Sequence, residues 1–146
     1  MKAVLEKHDA FTSIYYGMRQ HSPIADIKDG LRQFKESGAE VIVAVGGGSP
    51  IDASKAMLYN LHKETGKPIL HQIAIPTTLS AAEYTVSDSF RHPHTSRTHI
   101  EFTAWQIYAG FTNEEGKKVG VGLQEMVPAG IILDAELTLG TPQRLW

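Results

Sequence analysis

Val43-Ala44-Val45-Gly46-Gly47-Gly48-Ser49-Pro50-Ile51-Asp52-Ala53-Ser54-Lys55-Ala56 passes from an apolar, β-branched run into three glycines and then straight into helix-forming residues. With no Cβ on three consecutive residues, the main chain can take positive φ there and a charged oxygen can approach its amides. Ser49 is placed to cap the helix that follows, and Pro50 suits its first turn. The unpaired N–H groups of that turn, with the positive end of the helix dipole, form an anion site that needs no side-chain cation. A nucleotide pyrophosphate suits such a strand, turn and helix.

Outward from this stretch, the pattern is one of alternating helices and buried strands. Ser22 and Pro23 open a helix whose apolar positions Ile24, Ile27, Leu31 and Phe34 recur three or four residues apart, and Gly38 closes it. Residues 41–45 form an unbroken apolar run, which predicts a strand buried on both faces and so a parallel sheet. After the glycines, Ile51, Ala53, Ala56, Met57, Leu58 and Leu61 predict a second helix ending near Thr65-Gly66-Lys67-Pro68. A strand at Ile73-Ala74-Ile75 stops at Pro76-Thr77-Thr78, Ile131-Ile132-Leu133 reads as a third buried strand ended by Asp134, and Thr141-Pro142 resembles a further helix start. The order predicts an α/β fold with a doubly wound parallel sheet and ligands at the carboxyl ends of its strands. Residues 46–49 and 76–80 both fall at such ends. No internal repeat is present.

Composition narrows the function classes. The chain has 146 residues, 42% hydrophobic and 21% charged, which is the balance of a folded domain with a real core. A net charge of -2 without blocks of like charge provides no basic field for nucleic acid or an anionic membrane, so neither is expected as a partner. There is no cysteine, hence no disulfide framework or thiolate chemistry, which fits a reducing compartment. Residues 1–20 mix Lys2, Glu6, Lys7, His8 and Asp9 among apolar side chains, unlike a signal-peptide core, and no window approaches a membrane span. A cytoplasmic location is expected, with a mitochondrial one left open.

Several motifs occur together and in order. Gly-Gly-Gly-Ser-x-x-Asp at residues 46–52, Ile75-Pro76-Thr77-Thr78 followed by Glu83-Tyr84-Thr85, and Pro128 leading into Ile131-Ile132-Leu133-Asp134 with Leu137-Thr138 resemble the iron-containing (group III) alcohol dehydrogenase family. That family includes glycerol dehydrogenases and maleylacetate reductases and shares its Rossmann-like nucleotide domain with dehydroquinate synthase. The resemblance covers most of the chain from about Tyr15 onward and implies an NAD(P) cofactor. It implies that Gly47, Gly48 and Ser49 meet the pyrophosphate, that Asp52 bonds back into the glycine turn, and that Thr77 and Thr78 lie near the adenosine or the nicotinamide ribose. Ser80 and Thr85 are further carry-overs, and Lys118 stands at the spacing before Pro128 where the family places a lysine near the cofactor. Each has a plainer reading beside it. Asp52 is also a helix-start carboxylate, Thr77 and Thr78 also a pair that satisfies strand-end amides, and Lys118 also part of a solvated charge cluster with Lys117, Glu114 and Glu115.

The resemblance also marks what the chain lacks and what it adds. In the complete enzyme Fe²⁺ or Zn²⁺ is held by one Asp and three His of a C-terminal helical domain, and none of those four ligands matches a position in this sequence. The chain therefore reads as a partial NAD(P)-binding domain over residues 1–146, with no catalytic or metal residue assigned. Residues 86–106 have no family counterpart; they read either as a genuine surface insertion or as a retained intron in the gene. His92, His94 and His99 within it have spacing compatible with a small metal site, although a surface role is the plainer reading. Three functions stay open. They are the nucleotide part of a metal-dependent alcohol dehydrogenase acting on a small alcohol or aldehyde, a maleylacetate-reductase-like enzyme without metal, and a truncated, non-catalytic nucleotide-binding chain. The first is the leading reading; the short turn Leu79-Ser80-Ala81-Ala82 is closer to the form in maleylacetate reductases and keeps the substrate class open, and a homodimer stays open for the complete enzyme.

Overall fold

The computed structural model describes residues 2–84, 86–87 and 106–143. Helix α1 (Lys2–Lys7) precedes α2 (Ile24–Ser37), β1 (Val41–Gly46), α3 (Gly48–Thr65) and β2 (His71–Pro76). A 3-10 turn (Ala82–Tyr84) and a short β3 (Val86–Ser87) follow, then β4 (Gln106–Thr112), β5 (Lys118–Leu123), a second 3-10 turn (Gln124–Met126), β6 (Gly130–Ile131) and α4 (Ala135–Thr138). These strands make two sheets. One is parallel, in the order β1-β2-β6, with Val43 opposite Ile73 and Ala74 opposite Ile131. The other is antiparallel, in the order β3-β4-β5, with Tyr108 opposite Gly122 and Gly110 opposite Gly120.

Helix α3 packs against strands of both sheets. Ile51 joins Ala44 and Ala74 on the parallel sheet, while Ala53, Ala56, Met57 and Leu58 pack with Ile27, Leu31 and Phe34 of α2 and with Ile107, Ala109 and Phe111 of β4. Alanines at the contacts let the helix approach closely. From Ala53 to Leu58 every residue is buried, so the helix is enclosed on all sides there. Ile27 and Ile51 are fully buried, each worth about 1.5–3 kcal/mol relative to exposure. Gln72 of β2 adds a polar tie, its amide donating to the Ile51 carbonyl at 3.1 Å and to Ser54 Oγ at 2.6 Å.

Helix ends follow the glycines. Gly38 and Gly66 both take φ of 66° after α2 and α3, the left-handed geometry that closes a helix without Cβ strain. At the start of α3 the expected cap is corrected: Gly47 is the N-cap, the helix begins at Gly48, and Ser49 lies inside its first turn.

Three further expectations change. Val41 and Val45 are 42% and 44% exposed, because the face of β1 that carries them borders an open cavity and is not fully covered; among the described residues β1 pairs with β2 alone. Ile132 and Leu133 are exposed as well, and β6 pairs over two residues only, although the Ile132 N–H still reaches the Ala74 carbonyl at 2.9 Å. The β4–β5 hairpin joins an antiparallel sheet to what reads in the sequence as parallel alone. Its glycines serve packing: a Cβ on Gly120 would fall 1.8 Å from the Tyr108 hydroxyl, so the ring lies across that position. A helix beyond Thr141-Pro142 and most of the stretch 86–106 lie outside the described residues.

Candidate functional site

The two strand-end turns meet. Gly46 ends β1 with φ of 145°, and a Cβ there would fall 2.6 Å from the Pro50 ring. The Thr77 N–H donates to the Gly46 carbonyl at 2.8 Å, which extends the β1–β2 ladder into both turns. A Cβ on Gly47 would lie 3.1 Å from the Thr78 side chain, and one on Gly48 would lie 3.3 Å from Ser80. Glycine at both positions therefore leaves the first amides of α3 open between two short hydroxyl-bearing side chains. The Thr77 carbonyl is held from below by the Thr141 hydroxyl at 2.7 Å.

The turn before α2 forms a third wall. His21 and Ser22 take φ of 66° and 49°, left-handed values that non-glycine residues rarely adopt. The geometry brings the His21 N–H to Ser49 Oγ at 2.9 Å and the buried Ser22 hydroxyl to the Ser49 carbonyl at 2.8 Å. Ser49 Oγ thus accepts from the backbone and keeps its own proton to donate. Lys118 reaches the same wall, its ammonium 3.4 Å from the His21 carbonyl.

Asp52 turns elsewhere than expected. Its Oδ2 accepts from the Gly110 N–H at 3.2 Å, on β4, instead of bonding back into the glycine turn, and its Oδ1 is buried with no hydrogen bond. Burial pushes this carboxyl above its usual range, and Lys55 beside it pulls the other way. Lys55 is the residue that the sequence analysis passed over. Its side chain is enclosed, with Nζ 3.6 Å from Asp52 Oδ1, 3.0 Å from the Tyr108 carbonyl and hydrogen-bonded to the Ala82 carbonyl. Burial pushes its ammonium below the usual lysine range, opposed by the Asp52 charge. A signal for it existed, since Ile51, Lys55 and Leu58 share one helical face and a lysine in such a stripe must find internal partners. Glu83 is also buried, with Oε2 lacking a hydrogen bond.

The remaining sequence candidates distribute unevenly. Gly47, Gly48, Ser49, Thr77, Thr78, Ser80 and Lys118 gather around the two turns, Asp52 lies behind them, and Thr85 falls outside the described residues, as do His92, His94 and His99. Asp134 caps α4, its Oδ1 accepting from the Glu136 N–H at 2.9 Å, and Pro128 is buried. Among the described residues no group of three or more His, Asp or Glu side chains could hold a metal ion. A cavity of about 440 Å³ adjoins the glycine turn, bounded by Phe11, Tyr15, Val43, Val45, Pro50 and Met57.

A family model described as iron-containing alcohol dehydrogenase matches residues 1–99, most of the chain. The chain belongs to the iron-containing alcohol dehydrogenase family. Its relatives include "Dehydrogenase FUM7" of Gibberella moniliformis, 30% identical across 90% of this chain and 32% of that protein, and the maleylacetate reductase of a Rhizobium species, 30% identical across 88% and 28%. The crystal structure of the Rhizobium maleylacetate reductase superposes with a TM-score of 0.61 at 29% identity, over 86% of this chain and 27% of that one. An iron-containing alcohol dehydrogenase from Thermotoga maritima shares the fold at a TM-score of 0.73 and 21% identity, over 99% of this chain and 37% of that one. The chain thus spans about a third of the length of these family members. No helix among the described residues is long and apolar enough to cross a membrane.

Proposed function

We propose that this member of the iron-containing alcohol dehydrogenase family binds NAD(P) at the glycine turn. In that role it supplies the cofactor half of an oxidoreductase acting on a small alcohol, aldehyde or ketone. The observation that carries this reading is the meeting of the two turns, where a Cβ on Gly47 or Gly48 would crowd Thr78 or Ser80. The amides of Gly48 and Ser49 at the head of α3 hold the pyrophosphate, with the Ser49 hydroxyl as a further donor. Thr77, Thr78 and Ser80 line the opposite wall, Thr85, outside the described residues, is carried over from the family motif, and Lys118 offsets phosphate charge from the hairpin. The nicotinamide supplies hydride transfer when bound. A bound Fe²⁺ or Zn²⁺ would supply Lewis-acid polarisation of the substrate oxygen, and the described residues contain no cluster that would hold it.

The domain assignment follows the same reading: residues 1–146 are a partial NAD(P)-binding domain, interrupted at about 86–106. Titration of the 146-residue chain with NADH, read by its fluorescence, is the test. Saturable binding that Gly47→Val abolishes while far-UV circular dichroism is unchanged supports the site. No saturation at millimolar cofactor, or equal binding by the variant, overturns it. The short turn at residues 79–82 and the 30% identity to a maleylacetate reductase favour a second reading, a metal-independent reductase of an unsaturated keto acid. Its signature in the complete enzyme is reduction that survives chelation.

A further inference from the structure

We propose that Lys55, acting with Asp52, is the positioning residue of this site: it holds the edge of β4 against α3 in place of a further strand, and so sets the hairpin that carries Lys118 beside the glycine turn. The inference rests on the nucleotide reading above for what the positioning serves, and on hydrogen bonds alone for the positioning itself. Alternate residues of a strand point their backbone groups to the same edge. Along β4, one edge presents the Tyr108 carbonyl, the Gly110 N–H and the Thr112 N–H. Lys55 Nζ donates to the first at 3.0 Å, Asp52 Oδ2 accepts from the second at 3.2 Å, and the Ser22 carbonyl accepts from the third at 3.1 Å. A cation and an anion one helical turn apart on α3 thus supply the donor and the acceptor that a neighbouring strand would supply. Among the described residues, the neighbour β3 pairs at Ile107 and Gln106 alone.

The same ammonium ties in a third element. Lys55 donates to the Ala82 carbonyl in the 3-10 turn that follows Thr77 and Thr78. One buried group therefore joins the helix of the first turn, the segment leaving the second, and the strand leading to Lys118. The hairpin's far strand brings Lys118 to the His21 carbonyl, and the His21 N–H is bonded to Ser49 of the glycine turn. Asp52 has been expected to bond back into the glycine turn, but its two oxygens face Gly110 and Lys55. Its part is to fix the hairpin.

The test is a double-mutant cycle in the 146-residue chain, with Lys55→Met, Lys118→Gln and the pair, read by NADH affinity and by amide hydrogen exchange. In the otherwise unaltered chain, Lys118→Gln is expected to weaken NADH about three- to tenfold, the loss of one charge-assisted contact. In the Lys55→Met background the same change is expected to have no further effect, because the hairpin no longer presents Lys118. Loss of fold stability alone would weaken binding and leave the contribution of Lys118 intact. The amides of Gly110 and Thr112 are expected to exchange at least about tenfold faster in Lys55→Met, with Ala44 and Ala74 of the parallel sheet unchanged. Asp52→Asn keeps an acceptor for Gly110 and is expected to leave that amide protected, which separates geometry from charge. Additive affinities, or faster exchange spread evenly over both sheets, overturn the proposal. If the unaltered chain binds no NADH, the nucleotide reading fails, and the exchange pattern still decides whether Lys55 holds the strand.

Discussion

Gly46 shows most sharply what one residue contributes to this site. Its φ of 145° lies where side-chain-bearing residues rarely sit, and a Cβ would also press on the Pro50 ring. Gly46→Ala is expected to destabilise the chain by about 1–3 kcal/mol from the backbone alone, seen as a lower urea midpoint. An unchanged midpoint would mean that the turn relaxes into another conformation. Asp26, at the head of α2, makes a different kind of prediction. Arg19 donates to its carboxylate from Nε, Nη2 and the backbone N–H, and the side-chain bonds hold the carboxyl below its usual range. A carboxyl lowered in the folded state stabilises it above the unfolded pKa, and that gain is lost as pH falls through the folded value. The difference in urea midpoint between the unaltered chain and Asp26→Asn should therefore be full at pH 6 and close steadily below about pH 4, near the unfolded carboxyl pKa. The gap is modest because the Arg19 side chain is mostly exposed. A gap that does not change with pH would assign the effect of the substitution to packing.

At the scale of elements, what the sequence discloses is what local chemistry dictates. The helical stripe from Ile24 to Phe34, the strand before the glycines, and Gly38 and Gly66 as helix ends follow from period and φ, and the structure has all of them. The hairpin did not stand out, because β4 and β5 carry Gly110, Gly120 and Gly122 where a strand ordinarily has side chains, and Tyr108 fills the gap from across the sheet. Ser49 looked like a cap because cap residues are recognised by type; the helix begins at Gly48, two residues earlier than a Ser49 cap implies, and the Ser49 hydroxyl accepts from the His21 N–H, 28 positions away. Long-range partners of this kind leave no local trace. The same holds for the edge of β1: an apolar run suggests burial, but only pairing shows that one edge is open. Val41 and Val45 are partly exposed on one face of that strand, beside an unpaired backbone edge, and apolar surface next to an open edge favours association between chains. Val41→Lys with Val45→Lys is expected to reduce concentration-dependent light scattering while leaving far-UV circular dichroism unchanged. Scattering unaltered by the two lysines would place the sticky surface elsewhere.

For the molecule as a whole, two requirements of alcohol oxidation separate physically. Holding a dinucleotide needs open amides at a helix start, and these come from a short stretch of chain with its turns packed together, all present here. Polarising an alcohol oxygen needs several anionic or imidazole ligands converging on one point, and the described residues do not bring three together anywhere. Cofactor binding and metal dependence should therefore come apart in this chain. NADH affinity is expected to be the same with and without EDTA, since the contacts proposed for Gly48, Ser49 and Lys118 are amides, a hydroxyl and an ammonium. Oxidation of simple primary alcohols by the 146-residue chain is expected to be absent whether or not Fe²⁺ or Zn²⁺ is added. A metal-stimulated rate would reverse this, and it would direct attention to His92, His94 and His99, which lie outside the described residues. Replacing those three together by alanine would then abolish the rate if they carry the metal, and would leave it untouched if the ligands come from the two sheets.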